Sequence, residues 1–435
     1  MYIVRRREGA TMRMWRTWLG VLACVGGAQL ACTPSSDEDP LPEEPSQEQG
    51  ESTNAPDASV DVAPPLVLND DGHVSSPPPP APQPPLPSIG FQPGFHQALR
   101  WSHYVGGVTT FRLRVPVARA GERLQVTFRA GDGNLTLQRA TVAKAGVDGS
   151  LVSAPVALSF EGKPGFNVGA RALVTSDPVV FPVGFREDVA ITFEVRGALA
   201  ASAINAFPGS FARAGTHALV TGAIGGEPFE RSVGVASVHV EGPTGRAFIA
   251  LGDSITEGYV DLRNDTRNAW PALVEAQLGV PVVNAGVSGQ GFYDALRLMS
   301  DEVLAVKGVT DCLVLLGTND LGEAGAEEQM ETRMLLLVQR LEPFCRVWVS
   351  TLLPKEKTNY GAYDYVKSQR MSFNAWLRGG GTSTDVIDLE SVMRQTSNVH
   401  LYLDGLGIDG IHPSTEGHRV MAAEVVRTLR ERGDL

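Results

Sequence analysis

The serine in the segment LGDSITEGY, residues 251–259, is the first residue of this chain whose surroundings suggest catalysis. A serine hydroxyl is a poor nucleophile at neutral pH unless a base and a charge-stabilising pocket surround it. Near the other end of the chain, the segment DGIHP places Asp409 three residues before His412. His412 can accept the proton of Ser254, and Asp409 can hold the other imidazole nitrogen in the required tautomer. The three residues are therefore candidates for a nucleophile, a base and an orienting carboxylate.

The oxygen that becomes negatively charged when a serine attacks a carbonyl group needs two or three hydrogen-bond donors. Candidate donors are the Ser254 N–H, the Gly289 N–H and the side-chain amide of Asn319. Gly289 has no side chain, which allows a substrate to approach its backbone closely. Ser254 and Asn319 also have structural interpretations, because serine often caps helices and asparagine often shapes turns.

The elements that must position these residues follow a strand–helix alternation from Arg246 to the end of the chain. Short apolar strands are predicted at 247–251, 280–284, 312–316, 345–352 and 385–389. Helices are predicted at 294–306 and 326–341, and from Thr415 to Arg432. Buried strands that alternate with helices favour a parallel sheet covered on both faces. Ligands bind at the carboxyl ends of such strands, which is where the candidate serine, glycine and asparagine lie.

Residues 91–245 have a different pattern, with a period of two. Phe111, Leu113 and Val115 alternate with polar residues, and further alternating stretches follow with turn signals such as Gly131–Asn134 between them. Helical periodicity is missing from this region. The pattern predicts an all-β sandwich or jelly-roll-like domain ahead of the α/β domain, which would span 246–435.

Four segments, GDSIT, NAGVSG, GTND and DGIHP, resemble sequence blocks of the SGNH, or GDSL, hydrolase family of esterases and lipases. They occur in the family's order between residues 249 and 413, and the β-rich region before them resembles that of some two-domain bacterial members. The resemblance implies a flavodoxin-like three-layer fold with strand order 2-1-3-4-5. The implied roles are a triad of Ser254, Asp409 and His412, and an oxyanion hole of Ser254, Gly289 and Asn319.

Residues beside these blocks are given structural roles. Asp253 and Asp320 flank candidate catalytic residues and are expected to brace the loops through hydrogen bonds. His418 is expected to lie on the surface of the last helix. The histidines of the β region have no cysteine partners nearby, so no metal or other cofactor is expected. They are His96, His103, His217 and His239.

Cys312 and Cys345 open two predicted strands that should be neighbours in the sheet. Adjacent strands lie about 4.8 Å apart, which is within the Cα separation that a disulfide bond allows. A disulfide is therefore possible in an oxidising compartment. Two buried free thiols remain the alternative, because an offset in register would put the side chains on opposite faces.

The N-terminus has the layout of an export signal at 1–31, with arginines before a short apolar stretch. Gln29–Ala31 then precede Cys32 in a way that resembles a bacterial lipobox, with ordinary signal cleavage as the alternative. Residues 33–90 hold eleven acidic residues, no Lys or Arg, and 15 of the chain's 29 prolines. Such a segment is typical of a disordered, extended linker, here following a lipidated cysteine, so that 32–90 would be a tether. This predicts an exported lipoprotein at the bacterial cell surface or in the periplasm.

Net charge and composition limit the function classes further. The total charge is −12, but residues 1–32 carry +4 and the linker −11, which leaves only −5 for residues 91–435. This balance gives no reason to expect nucleic-acid binding, and membrane contact is expected only through the lipid anchor. We expect a serine esterase for short acyl or carbohydrate esters, with small-molecule or polysaccharide substrates. The alternatives are a lipase or lysophospholipase and, more remotely, a non-catalytic surface binding protein.

Overall fold

The computed structural model describes residues 88–203, 208–229, 231–261, 263–358 and 361–432. The predicted signal peptide, Cys32 and the linker up to residue 87 lie outside the described residues. The first strand already begins at Ile89, slightly inside the segment assigned to the linker. Within the described residues, no helix combines the length and apolar character needed to cross a membrane.

The N-terminal domain is an antiparallel all-β domain, as the period-two pattern predicted. Its strands are β1 (Ile89–His96), β2 (Trp101–Val117), β3 (Gly121–Lys144), β4 (Val156–Leu158), β5 (Phe166–Val168), β6 (Leu173–Thr175), β7 (Val179–Val183), β8 (Glu187–Ala201), β9 (Phe211–Ala214), β10 (Glu227–Pro228) and β11 (Val235–Pro243). Their order is β1-β11-β3-β8-β2-β9-β10, and β4 to β7 also pair with β3.

The sheet folds over along β3, which belongs to both layers of this domain. The first half of β3 pairs with β11, β6 and β7, and the second half pairs with β8, β4 and β5. The register shifts between Ala130 and Leu135, so the Gly131–Asn134 segment predicted as a turn is a bend within one strand. The two halves face each other across one apolar core, in which the rings of Phe128 and Phe193 lie 5.3 Å apart.

The C-terminal domain is a parallel α/β domain. Its elements are β12 (Phe248–Gly252), α1 (Ser254–Glu257), β13 (Tyr259–Val260), β14 (Arg263–Asn264), α2 (Trp270–Leu278), β15 (Val282–Gly286), α3 (Phe292–Met299), β16 (Asp311–Leu315), α4 (Ala326–Leu341), β17 (Arg346–Ser350), α5 (Tyr363–Arg378), β18 (Asp385–Ile387), α6 (Leu389–Met393) and α7 (Thr415–Arg432). The parallel sheet has the order β15-β12-β16-β17-β18, which confirms the expected 2-1-3-4-5 topology. Helices α2 and α5 lie between predicted strands, where the alternation indicates helices but no bounds were predicted.

Each face of the parallel sheet contributes to a separate apolar core. Ile249, Val314 and Val349 point into the core on the side of α3, α4 and α5, and Ala250, Leu313 and Trp348 point into the core beside α7. Because alternate strand residues enter opposite cores, the strands are buried on both sides, as expected for a parallel sheet between helices. Cys312 on β16 and Cys345 just before β17 form a disulfide bond, with Cα atoms 5.8 Å apart.

The two domains are joined by direct backbone pairing. After β1, Gln97 forms a parallel bridge with Asn284 of β15, and the Ala98 N–H donates to the Asn284 carbonyl oxygen at 3.2 Å. The Gln97 side chain also donates to the Gly286 carbonyl oxygen at 3.3 Å. The connection between β1 and β2 therefore extends the parallel sheet at its outer edge, close to the loop that follows β15.

Candidate active site

Ser254 lies where β12 ends and the short helix α1 begins. This junction requires Gly252, because a Cβ atom there would lie 2.1 Å from Thr256 Oγ1 and 2.6 Å from the Leu315 carbonyl oxygen. Asp253 then caps α1, since its carboxylate accepts a hydrogen bond from the Ile255 N–H at 2.9 Å. The cap belongs to Asp253 and not to the serine, so the structure removes the capping interpretation of Ser254. The serine hydroxyl is left to face another partner.

That partner is His412. The Ser254 Oγ and His412 Nε2 atoms are 2.9 Å apart, and His412 Nδ1 lies 2.9 Å from the Asp409 carboxylate. An ionised carboxylate can only accept hydrogen bonds, so Asp409 favours the tautomer of His412 in which Nδ1 carries the proton. In that tautomer Nε2 is free to accept the proton of the serine hydroxyl. The three predicted residues thus form a hydrogen-bonded chain from hydroxyl to imidazole to carboxylate.

Asp409 is held in its ionised form by the loop around it. Burial acts to raise the pKa of Asp409, but hydrogen bonds from the backbone and ring of His412 outweigh it and hold that pKa below its ordinary value. The Ile411 and His412 N–H groups both donate to Asp409, at 2.9 and 2.8 Å. A carboxylate with these donors stays charged around neutral pH, which suits a group that must stabilise an imidazolium.

The predicted oxyanion donors lie on the loops after β15 and β16. Gly289 has a φ of 76°, and no atom lies within 4 Å of the Cβ that it lacks, so space remains in front of its backbone. Within the described chain, the Gly289 N–H donates no hydrogen bond. Asn319 occupies a 3₁₀ turn at Thr318–Asp320, and its side-chain amide donates to the Gln290 carbonyl oxygen at 3.0 Å. One proton of that amide is thereby fixed, which orients the other.

Asp253 and Asp320 brace the catalytic loops, as their positions in the sequence suggested. The Asp320 carboxylate accepts from the Phe292 N–H at 3.0 Å and so ties the loop after β16 to the start of α3. Between the two carboxylates lies a residue that the sequence analysis missed, Lys355, whose ammonium donates to the Thr318 carbonyl oxygen at 2.7 Å. Lys355 is 1% exposed. Its position just after β17, at the same sheet edge, was the available signal.

Burial shifts the titration of these carboxyl groups strongly. Desolvation raises the pKa of Asp253 to about 7 and that of Asp320 to about 6, although Lys355 pulls both back toward ordinary values. A carboxyl group whose pKa is higher in the folded state keeps its proton while the unfolded chain loses it. The stability that this protonation provides is therefore complete below about pH 4 and is lost as the pH rises to about 7.

We expect Asp253→Asn to flatten the pH dependence of stability. The asparagine oxygen can still cap α1, but the group no longer titrates. Each pKa unit corresponds to about 1.4 kcal/mol. Between pH 5 and pH 8, the free energy of unfolding of the variant should therefore fall by on the order of 2 kcal/mol less than that of the wild type. Urea unfolding of both proteins at pH 5 and at pH 8 measures this difference. Equal losses in the two proteins would contradict the assignment. Asp320 and Glu275, whose pKa values burial raises to about 6 and about 7, explain a residual slope in the variant.

Glu257 is a second residue that the sequence analysis missed. Its buried carboxylate accepts from the Ala203 N–H of the β domain at 2.9 Å and also from the Ser288 N–H, one residue before Gly289. The β domain therefore contacts the loop that holds a predicted oxyanion donor. The sequence alone gave no signal for this, because the partner N–H groups lie 54 and 31 residues away.

The expectation that His418 lies on the surface is wrong. Its ring is completely buried, where Nδ1 accepts from the Trp270 N–H at 3.1 Å and Nε2 lies 3.4 Å from the Tyr259 carbonyl oxygen. Burial lowers the pKa of His418 to about 4, so the ring is neutral and structural. The inner face of α7 packs on α2, and α2 is what covers this position. In the described residues, no three His, Cys, Asp or Glu side chains cluster closely enough to suggest a metal site.

Comparison with known families agrees with this geometry. Residues 250–420 match the model of the GDSL-like Lipase/Acylhydrolase family. Residues 250–420 form a GDSL-like acylhydrolase domain. The match confirms the family resemblance and identifies the protein as an ester-hydrolysing enzyme. A search of curated proteins found no match.

Solved structures similar to the chain include a G-D-S-L family protein and two carbohydrate esterases. A lipolytic protein of the G-D-S-L family from Desulfitobacterium hafniense is 25% identical and covers 42% of this chain and 100% of its own, with a TM-score of 0.37. A carbohydrate acetylesterase from Sinorhizobium meliloti is 17% identical over 43% of this chain and 99% of its own, with a TM-score of 0.37. A carbohydrate esterase family 2 enzyme with a carbohydrate-binding domain, from Corynascus thermopiles, is 16% identical over 79% and 99%, with a TM-score of 0.37.

Proposed function

We propose that the acylhydrolase domain hydrolyses esters of short acyl groups or of carbohydrates through an acyl-enzyme on Ser254. The observation that carries this proposal is the hydrogen-bonded chain from Ser254 through His412 to Asp409. It provides a nucleophile with a base in contact and an ionised carboxylate behind that base.

Each step of the proposed reaction uses a group in this arrangement. His412 Nε2 takes the proton as Ser254 Oγ bonds to the ester carbonyl carbon, and the oxyanion accepts hydrogen bonds from Ser254, Gly289 and Asn319. The carbon–oxygen bond to the alcohol then breaks, and His412 gives its proton to the leaving oxygen. A water molecule, deprotonated by His412, then attacks the acyl carbon. The bond from that carbon to Ser254 Oγ breaks, and His412 returns the proton to Oγ, which releases the acid and restores the serine.

The residues after Asn319 support a short acyl group. A groove for a long chain needs apolar side chains that line a cavity. Leu321 is fully buried in the core on the side of α3, α4 and α5, whereas Glu323, Ala324 and Gly325 are exposed. This loop therefore contributes small and acidic residues, and no large apolar side chain, to the rim of the site.

A series of p-nitrophenyl esters of increasing chain length, assayed beside an acetylated polysaccharide and a lysophospholipid, tests the proposal. We expect the highest kcat/KM for acetate to butyrate and release of acetate from the polysaccharide. A preference for acyl chains of ten or more carbons, or for the lysophospholipid, would favour the lipase alternative and overturn the short-chain assignment.

We further propose that the enzyme is an exported lipoprotein anchored at Cys32. The lipobox-like residues before Cys32 support this, as does the disulfide of Cys312 and Cys345, since such bonds persist in oxidising compartments. Mass spectrometry of the mature N-terminus tests it: a diacylglyceryl group on Cys32 is expected, and a free cysteine or cleavage elsewhere would overturn it.

A further inference from the structure

A cleft of about 350 Å³ lies between the β domain and the C-terminal end of α3 in the acylhydrolase domain. This volume is in the range of small-molecule sites. The β domain contributes Arg100, Trp101 and Arg129 to its lining, and the acylhydrolase domain contributes Arg297 and Glu302. None of these residues takes part in the proposed reaction.

The cleft contains a large aromatic side chain that is half exposed. Trp101 opens β2 and is 50% exposed, although its indole is among the most apolar side chains. The face of an aromatic ring carries partial negative charge, so it attracts the partially positive C–H groups on the flat side of a pyranose ring. The polar N–H edge of the indole is at the same time a hydrogen-bond donor. An exposed indole in a cleft therefore suits a sugar ring.

All four arginines of the lining are paired with carboxylates, two of which line the cleft and two of which lie beside it, and this pairing weakens their attraction for an anionic ligand. Each arginine lies beside a carboxylate, with nitrogen–oxygen distances between 3.0 and 3.4 Å. The pairs are Arg100–Glu302, Arg129–Asp301, Arg171–Asp132 and Arg297–Asp294. A hydroxyl group both donates and accepts a hydrogen bond, so it can bridge a guanidinium and a carboxylate within such a pair. The lining thus matches a neutral polyhydroxylated ligand better than a phosphate or an acid.

The cleft is connected to the catalytic loops by one side chain. The Arg100 guanidinium, which lines the cleft, also donates to the side chain of Gln290, the residue after Gly289. Gln290 in turn donates to the Gly252 carbonyl oxygen at 2.9 Å and accepts from the Asn319 amide through its own carbonyl oxygen. Arg100 therefore joins the lining of the cleft to the loop that carries Gly289.

From these observations we propose that the cleft around Trp101 binds a neutral sugar unit of an acylated oligosaccharide whose ester group is held at Ser254. This inference rests on the proposed carbohydrate esterase function, and it assigns the β domain a part in substrate recognition. Trp101 provides the stacking surface, and the arginine–carboxylate pairs provide the hydroxyl contacts.

Binding without catalysis tests the cleft separately from the reaction. Xylotetraose, cellotetraose and mannotetraose are titrated calorimetrically into the Ser254→Ala variant. We expect at least one to bind, with affinity about tenfold weaker when Trp101→Ala is added. Tyr104→Ala is the matched control, because Tyr104 is 74% exposed on the same strand but does not line the cleft. No binding of any tetrasaccharide, or equal loss with Tyr104→Ala, would overturn the inference whichever esters the enzyme hydrolyses.

Kinetics with the catalytic serine intact provide the second readout. In Trp101→Ala, KM for acetylated oligosaccharides of the type that binds should rise about tenfold, whereas kcat/KM for p-nitrophenyl acetate should stay at the wild-type value. A loss with both substrates would show a general structural effect and contradict a sugar subsite. Tetrasaccharide binding with no hydrolysis of any saccharide ester would instead leave the cleft in place and refute the proposed carbohydrate esterase function.

Discussion

Replacement of Ser254 by alanine is expected to lower kcat for p-nitrophenyl acetate by about 10⁴- to 10⁶-fold, with little change in the melting temperature. The hydroxyl that His412 contacts at 2.9 Å is the proposed nucleophile, and no acyl-enzyme can form without it. His412→Ala should cause a loss of similar size. Since the two groups act as one unit, the double variant should be little worse than either single variant.

Ser288→Ala is the matched control for this experiment. Ser288 also lies on a loop at the carboxyl edge of the sheet, but its contact with Glu257 uses the backbone N–H, which alanine retains. The control should keep near wild-type activity and should react with a fluorophosphonate probe, whereas Ser254→Ala should not. Undiminished turnover in Ser254→Ala would refute the mechanism. Failure of the wild type to react with the probe would favour the non-catalytic binding protein.

Loss of the Asn319 amide should have the second largest effect, a fall in kcat of about 10²- to 10³-fold for Asn319→Ala. The amide is proposed to donate to the oxyanion, which exists only after Ser254 has attacked. Its removal should therefore change kcat much more than KM. Steady-state kinetics with p-nitrophenyl acetate give both constants.

The bond from Asn319 to the Gln290 carbonyl oxygen offers a competing explanation for such a loss. If that contact only shapes the loop, Asn319→Ala should raise KM and lower the melting temperature by amounts that match the loss of activity. A fall in kcat with unchanged KM and stability would support the oxyanion role. An unchanged kcat would remove Asn319 from the proposed mechanism.

The parts of this molecule that depend on local pattern could be predicted from the sequence. Strand–helix alternation after Arg246 gave the parallel sheet, and the motif blocks gave its strand order. Because the carboxyl ends of parallel strands meet at one edge, residues 158 positions apart, such as Ser254 and His412, could be expected in contact. The offset of three between Asp409 and His412 also placed the carboxylate behind the imidazole.

The parts that depend on long-range packing could not be predicted. Lys355 looks like an ordinary surface lysine until the loops of Asp253 and Asp320 close around it. His418 has the spacing of a surface residue, and only the packing of α2 on α7 buries it. Likewise, the role proposed for Trp101 depends on which face of the other domain approaches β2. Such contacts join segments far apart in sequence, where neither periodicity nor motif spacing carries information.

The pairing of Gln97 and Ala98 with Asn284 has a consequence for the association of these molecules. β15 is the outer strand of the parallel sheet, and an uncovered outer strand offers free N–H and C=O groups to the sheet of another molecule. The backbone of Gln97 and Ala98, which follow β1 in the chain, occupies part of that edge. The β domain thus covers part of the edge at which strand-to-strand aggregation would begin. A protein shortened to residues 246–435 would lose this cover.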